Sequence, residues 1–302
     1  MQTWKTKNLP KKWQQSQDAI RKRMPDWKYV LMTDEDNRNF VIEHFPEYLK
    51  TYDSFKYPIQ RVDMIRPMWL YVHGGIYIDL DLVVNKPLDE LFKNGADLYF
   101  VPSANITMYF TNSFMASGPR HPFWLEYLKH MKKEAPIWGI TKHFYVMATT
   151  GPIGLTKVIR KTSSVYSILS QKSVIPCNVC NIGKCKGGYL KTIEGQSWNG
   201  WDSLAINFLY CNWKMILTVI CIIIIIWAIW KYKKSSSTIP VVDIKDSSMS
   251  QISLINPKMS CDGQICEDSF QGFGSLERVN SLDGELDQNI NNYVKEKDYI
   301  YW

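Results

Sequence analysis

The sequence predicts an α/β sandwich with a mainly parallel sheet, followed by one transmembrane helix and a polar, disordered tail. Three observations carry this expectation. Short strand-like apolar segments alternate with helical patterns through the first two thirds of the chain, the run Met215 to Trp230 is apolar throughout, and the charge balance reverses after it. At 302 residues, 45% hydrophobic and 14% aromatic, the chain is long and apolar enough for a substantial core. From Ser235 to Trp302 there are 11 Asp and Glu against 5 Lys and Arg, a net of −6; the total is +7, so residues 1–234 carry +13. A basic body suits an anionic small molecule or an acidic membrane surface. It has no basic stripe with interleaved aromatics and no recognised nucleic-acid motif, so no nucleic acid is expected as a partner.

Taken in order, the opening MQTWKTKNLPKKW has no apolar segment of the kind a secretory signal requires. Trp27 to Thr33 alternates as a strand, and Thr33 or Asp34 caps a helix running toward Phe45. Ile59 to His73 is expected as a helix, since Val62, Ile65, Trp69 and Val72 recur at helical spacing while Asp63 and Arg66 fall three apart on another face. Pro67 removes one backbone donor and is expected to bend that helix or to mark its start near Arg66. Gly74 and Gly75 then stop it, because glycine accepts positive φ without strain. A short helix over Pro87 to Phe92, strands over Leu98 to Pro102 and Ser113 to Ser117, and an amphipathic helix over His121 to Lys133 complete the pattern.

The stretch His73 to Pro87, HGGIYIDLDLVVNKP, sits at the centre of this arrangement. Side chains alternate along a strand, which puts Asp79 and Asp81 on one face with Cα atoms about 6.5–7 Å apart, from roughly 3.3 Å per residue. That is wide for two carboxylates to chelate one ion alone, so one acid is expected to bind a cation while the other holds a group beside it. A hard divalent ion, Mn²⁺ or Mg²⁺, takes oxygen ligands and is commonly completed by water and substrate phosphates, which suits a nucleotide diphosphate. In sheets of this kind ligands collect at the carboxyl ends of strands. The plain alternative is an ordinary strand with two exposed acids, and the helix and double glycine immediately before it argue against that.

The segment YPIQRVDMIRPMWLYVHGGIYIDLDLVVNKPLDELF resembles the core of glycosyltransferase family 32, the DXD-motif sugar-binding group that includes fungal α-mannosyltransferases, inositol-phosphoceramide mannosyltransferases and, more distantly, glucosylating toxins. QTWKT, PDWKYVLMTDED, TNSFMAS, HPFW, TGPIGL and GQSWNGWDS follow the family's order, so the resemblance covers residues 1–210. It implies a GT-A-like, Rossmann-type nucleotide-sugar-binding domain. It also implies transfer of a hexose, mannose as the first expectation, from a nucleotide-diphosphate sugar to a lipid or glycan acceptor, with retention at the anomeric carbon.

By the same resemblance Asp81 coordinates the metal, and Asp79 contacts sugar or ribose and metal-bound water. Asp63 and Arg66 meet the donor sugar and its phosphate, with a structural salt bridge as the plainer reading. Trp4 matches an aromatic that stacks on the nucleotide base, or else it anchors the terminus in the core. Asn112 is a candidate for donor or acceptor hydroxyls, and Ser197, Trp198 and Asn199 form the closing segment near metal and diphosphate. Many relatives have His where Asn199 stands, and neutral Asn is a poorer transition-metal ligand; Glu194 is the alternative ligand, or a surface residue. The family's short strand before QTW is missing, so either another segment fills the sheet or the chain begins further upstream. The competing reading is a catalytically inactive, membrane-anchored sugar-binding or scaffolding protein that keeps the fold.

His73 is read as a packed or helix-end histidine. Cys177, Cys180 and Cys185, spaced C-x2-C-x4-C, supply three of four ligands for structural Zn²⁺ with Cys211 as a possible fourth. Disulfides and free thiols fit the same spacing, disulfides if the domain is lumenal. Within Met215 to Trp230, ten Ile, Leu or Val residues at about −0.3 to −0.6 kcal/mol each give roughly −3 to −6 kcal/mol for insertion into a bilayer. Lys214 and Lys231, with Trp213, Trp230 and Tyr232, extend the short apolar length to the interfaces, defining a transmembrane segment over residues 213–232 and a polar acidic tail over 233–302. Lys231, Lys233 and Lys234 after the helix, against Lys214 before it, put the tail in the cytosol and the domain in the lumen of a Golgi-like endomembrane. The missing signal argues for a cytosolic domain instead, and the sequon Asn105-Ile106-Thr107 would report a lumenal one if glycosylated.

Overall fold

A computed structural model describes residues 1–132, 141–195 and 197–236; the expected polar tail lies, from residue 237 onward, outside the described residues. The strands are β1 (Gln2–Thr3), β2 (Leu31–Met32), β3 (Gly75–Ile78), β4 (Leu82–Val84), β5 (Leu98–Phe100), β6 (Phe114–Ser117), β7 (Ser167–Ile168) and β8 (Leu190–Thr192). The helices are α1 (Lys11–Arg23), α2 (Asp34–His44), α3 (Leu49–Ser54), α4 (Pro58–His73), α5 (Phe123–Lys132), α6 (Lys142–Thr149), α7 (Pro152–Ile159), α8 (Gln171–Val174) and α9 (Trp201–Ser236).

The largest sheet has the order β3-β6-β5-β7. It is covered on both faces, and the two-residue alternation of its strands shows this directly. Tyr77, Met115, Leu98 and Phe100 point into a core built on α4, α5 and α7, whereas Ile76, Ile78, Phe114, Ala116 and Tyr99 point into a second core with Val84, Leu88, Val174 and Leu190. The mixed α/β architecture is as expected, but the mainly parallel sheet is not. In the large sheet β3 with β6 and β5 with β6 are antiparallel, only β5 with β7 is parallel, and β4 with β8 forms a separate antiparallel pair. The chain connecting β5 to β6 bridges back on itself at Pro102 and Phe110, so those strands run as neighbours in opposite directions rather than through a crossover helix.

Helix α4 is the central element. Pro58 occupies its first position, where a missing N–H costs nothing. The helix runs on through Pro67 instead of starting there, because Met64, Ile65, Met68 and Leu70 are all fully buried and hold both halves in one core. Only the Pro67 bond to the Asp63 carbonyl is forfeited. Thr33 caps α2 with a full capping box: its hydroxyl accepts from the Asp36 N–H while the Asp36 carboxylate accepts from the Thr33 N–H. Before it, the strand expected over Trp27 to Thr33 shrinks to Leu31–Met32, paired in parallel with Gln2–Thr3. Met1 also joins the sheet, donating to the Ile76 carbonyl and accepting from Ile78 N–H. Helix α1 buries Trp13, Ser16, Ala19 and Ile20 along one stripe.

Helix α9 is continuous over 36 residues, about 54 Å at 1.5 Å per residue. It is long and apolar enough to cross a membrane, and among the described residues none covers its most apolar stretch. Exposed Trp201, Leu204, Phe208 and Leu209 begin its apolar surface well before residue 213. His73, the last residue of α4, packs its ring 4.2 Å from that of Trp69.

The two glycines after α4 differ in what they require. Gly74 has φ +65°, and a Cβ there would meet the Pro119 nitrogen at 2.7 Å and the Ser117 carbonyl at 2.9 Å; Gly75 has φ +86° but open space around it. Gly75→Ala is expected to cost about 1–2 kcal/mol from backbone strain alone, and Gly74→Ala clearly more, because rigid backbone must also move. Denaturation of the full chain in detergent, followed by near-UV circular dichroism, checks the order of the two.

Candidate active site

The acidic motif does not lie on one continuous strand. Strand β3 ends at Ile78 and β4 begins at Leu82, each pairing in a different sheet, so Asp79 to Asp81 must turn between them. The Asp79 N–H donates to the Ser113 carbonyl, Leu82 N–H donates back to the Asp79 carbonyl at 3.0 Å, and Ile193 N–H donates to the Asp81 carbonyl at 2.8 Å. The expectation that both acids share one strand face is thereby corrected: they project from the two ends of a tight turn. Between them Leu80 is buried with Leu9 and Trp13, and this third small core holds the turn in place.

Behind the turn lies a buried ionic network. The Arg66 guanidinium pairs with Asp63 Oδ1 and Asp79 Oδ1, both at 3.1 Å, donates to the Asn112 carbonyl at 2.8 Å and lies over the Tyr77 ring. Tyr77 donates its hydroxyl to the same Asp79 oxygen. On the far side Thr150 Oγ1 donates to Asp63 Oδ2 at 2.8 Å, Asn112 Nδ2 donates to Asp63 Oδ1, and Tyr127 closes the network on the Thr150 carbonyl. Arg66 Nε is buried without a hydrogen-bond partner among the described residues. Burial pushes the Asp63 carboxyl up to about 6 against the opposing pull of Arg66, and burial likewise raises Asp79. Asp79 is the group that emerges, with its side chain 26% exposed against 3% for Asp63.

A cleft of about 300 Å³ opens above this network, with Arg66, Tyr77, Asp79 and Asp81 at its floor. Of the residues singled out from the sequence, Trp4, Arg66, Asp79, Asp81, Ser197 and Trp198 line it together. Asp63 and Asn112 do not; they sit behind Arg66 and orient it. Asn199 is also not among the lining residues, and the Glu194 contact is through its carbonyl, which accepts from Trp13 Nε1. The closing segment comes down directly onto the metal-binding candidate: a Cβ built on Gly195 would lie 2.0 Å from Asp81 Oδ2, so only glycine fits there.

Several lining residues were not legible in the sequence. Trp13 meets Trp4 edge to face at 4.5 Å, Lys5 and Lys142 bring positive charge to the walls, and Lys142 donates to the Trp198 carbonyl. His143 stacks on Trp198 at 5.5 Å, bonds the Ser203 hydroxyl through Nδ1, and donates its N–H to Asp202. No spacing rule links residue 143 to residue 198. The missed signal in α1 was its Trp13, Ser16 and Ile20 stripe.

The cysteine cluster forms disulfides: Cys177 with Cys185 and Cys180 with Cys211. The Zn²⁺ expectation is overturned, since cystine sulfur offers no thiolate ligand. Among the described residues no group of three or more His, Cys, Asp or Glu that could hold a metal ion is assembled. The oxygen-only donor set of Asp79 and Asp81 nevertheless has the chemistry of a hard divalent ion.

Because the Asp63 carboxyl is raised in the fold above its ordinary value near 4, the folded state binds the extra proton. Its contribution to stability is therefore full below about pH 4 and is lost as pH rises through about 6. Wild-type protein is expected to lose stability relative to Asp63→Asn over that window; thermal melts of both at pH 4, 5, 6 and 7 measure the difference.

Residues 10–96 match the family model described as a glycosyltransferase sugar-binding region containing a DXD motif. The chain is similar to the mannosyl phosphorylinositol ceramide synthase SUR1 of Saccharomyces cerevisiae, 38% identical over 198 residues that cover 66% of this chain and 50% of that protein. It is also similar to inositol phosphoceramide mannosyltransferase 3 of Schizosaccharomyces pombe, 30% identical over 217 residues, covering 71% of this chain and 59% of that one. The chain thus spans about half the length of the curated relatives it matches. Among solved structures, the PaToxG glycosyltransferase superimposes with a TM-score of 0.36 at 17% identity, covering 53% of this chain and 66% of that chain, too distant a match to bear on function. With the acidic turn, its arginine and the aromatic cleft in place, residues 10–96 of this chain are identified as a glycosyltransferase sugar-binding region containing a DXD motif.

Proposed function

We propose that the protein is a membrane-anchored, metal-dependent hexosyltransferase that moves mannose from a nucleotide-diphosphate sugar to the polyol headgroup of an inositol phosphoceramide-type lipid. The observation that carries this reading is the cleft itself, where two carboxylates at the floor meet aromatic walls from Trp4 and Trp198 and cationic groups from Lys5, Arg66 and Lys142. Aromatic faces suit a base, cations suit a diphosphate, and acids suit sugar hydroxyls and a divalent ion. The names of the relatives supply mannose and the lipid.

In this reading Trp4 stacks on the base, while Ser197 and Trp198 close over the diphosphate. Asp81 and the outer oxygen of Asp79 would hold Mn²⁺ or Mg²⁺, which when bound supplies positive charge to the departing diphosphate. Arg66 contributes fixed positive charge from the floor without reorganising, since Asp63, Asn112 and Tyr77 already hold it. The acceptor hydroxyl oxygen bonds the anomeric carbon as the bond from that carbon to the diphosphate oxygen breaks. The bonding pair leaves with the nucleoside diphosphate, which takes the hydroxyl proton, and configuration is retained. Helix α9 spans the membrane from about residue 213 to residue 232. Two disulfides support a lumenal domain, because such bonds persist in oxidising compartments, and Lys231, Lys233 and Lys234 support a cytosolic helix end.

Release of nucleotide from a panel of UDP- and GDP-sugars by the full chain in detergent, with Mn²⁺ and inositol phosphoceramide, tests the proposal. Asp81→Asn is expected to lose about 100-fold or more, the scale of removing one electrostatic contact to a transition state. Gly195→Ala is expected to lose comparable activity, because its Cβ would lie 2.0 Å from the Asp81 Oδ2 and 2.4 Å from the Asp81 Cβ and would displace that carboxylate. Properly folded protein that turns over no donor with any of these acceptors would leave the inactive, sugar-binding reading in its place.

A further inference from the structure

A second cavity, about 170 Å³, lies on the other side of the acidic turn. It shares Asp79 and Asp81 with the donor cleft and no other lining residue. Its chemistry is different. The donor cleft has aromatic walls and lysines, whereas here Ser103, Thr111, Ser113 and Thr192 contribute hydroxyls and Asn105 an amide, with no basic or aromatic side chain in the lining. Such a lining offers a base no aromatic face and a phosphate no cation, so it matches the hydroxyls of a polyol ring, each able to donate and accept, rather than the ring's charged linkage.

The position of this cavity adds a second constraint. Cys177 forms part of its wall, and three residues later Cys180 is bonded to Cys211 on α9. Tyr210, adjacent on α9, donates its hydroxyl to the Asn105 carbonyl, and Asn105 Oδ1 accepts from Val179 N–H at 2.8 Å. Cys211 precedes the apolar run at Met215 by four residues, about 6 Å of helix. Beside the cavity, in the same loop as Asn105, Ile106 and Met108 are 44% and 57% exposed. The cavity rim is thus fastened at two points to the end of the apolar helix and carries exposed apolar side chains of its own, as a rim against a bilayer surface would.

We infer that this cavity is the acceptor site, and that it takes a neutral polyol ring presented by a membrane lipid, delivering one ring hydroxyl to the acidic turn from the side opposite the nucleotide. Ser103 and Thr192 are specificity-determining residues of this site, and the Cys180–Cys211 disulfide fixes its height above the membrane. The assignment rests on the transferase reading of the donor cleft.

Two measurements on the full chain in phosphatidylcholine nanodiscs test it, comparing wild type with Ser103→Ala/Thr192→Val and with the hydroxyl-retaining Ser103→Thr/Thr192→Ser. In steady-state transfer to inositol phosphoceramide, the first double variant is expected to raise the KM for lipid about tenfold, as loss of two hydrogen bonds predicts, with the donor KM within about twofold, and the second is expected to restore it. Equal changes in both constants, or none in the lipid KM, would overturn the assignment. Saturation-transfer NMR with free myo-inositol against glucose reads the site without turnover: transfer to myo-inositol from wild type and its loss in the first variant are expected. Wild type that binds myo-inositol at this site but turns over no donor would sink the transferase reading and keep the polyol site. Turnover with a lipid KM indifferent to both variants would do the reverse.

Discussion

The arrangement of the site depends on one buried guanidinium. Arg66 is held between Asp63, one turn earlier on the same helix, and Asp79, at the end of strand β3, so a single side chain ties the central helix to the acidic turn. Removing one member of such a buried set typically costs about 3–5 kcal/mol, because the remaining charges stay in the interior uncompensated. The set is also asymmetric. Asp63 is enclosed and saturated by Thr150, Asn112 and Arg66, while Asp79 offers its outer side to the cleft. The interior half fixes geometry and the exposed half is left for chemistry. Tyr127 and Thr150, neither in the cleft, belong to this support.

The turn that carries the acids follows from a topological conflict. Strand β3 is committed to β6 and strand β4 to β8, and three residues must bridge the two pairings. Leu80 goes down into a small core with Leu9 and Trp13, which leaves Asp79 and Asp81 to emerge on either side. Two cavities then meet at the turn, one aromatic and cationic, the other lined by hydroxyls. The segment following β8 closes the first, held by Trp13, Lys142 and His143 from two helices far apart in sequence.

That closing segment leads without a break into α9. Asp202 and Ser203 in its first turn bond His143, and Cys211 is covalently tied to the loop beside the second cavity. The apolar helix is therefore tied at its base to the elements around both cavities, through hydrogen bonds to His143 and the disulfide from Cys211.

Much of this was determined by the sequence itself. The capping box at Thr33, the stop at Gly74, the periodicity of α4, the acid pair and the apolar run all rest on interactions within a few residues, where spacing alone dictates which groups meet. The tertiary structure decided the rest. The acidic strand became a turn because its two halves pair with β6 and β8, partners about 40 and 110 residues away. Pro67 stayed inside a helix because the core on both sides outweighs one lost hydrogen bond. Four cysteines with several possible fates became two disulfides because the fold brings residue 211 to residue 180. Asp63, Arg66 and Asp79 were visible as separate candidates, but that they share one buried charge depends on packing a helix against a strand, a contact no local spacing encodes.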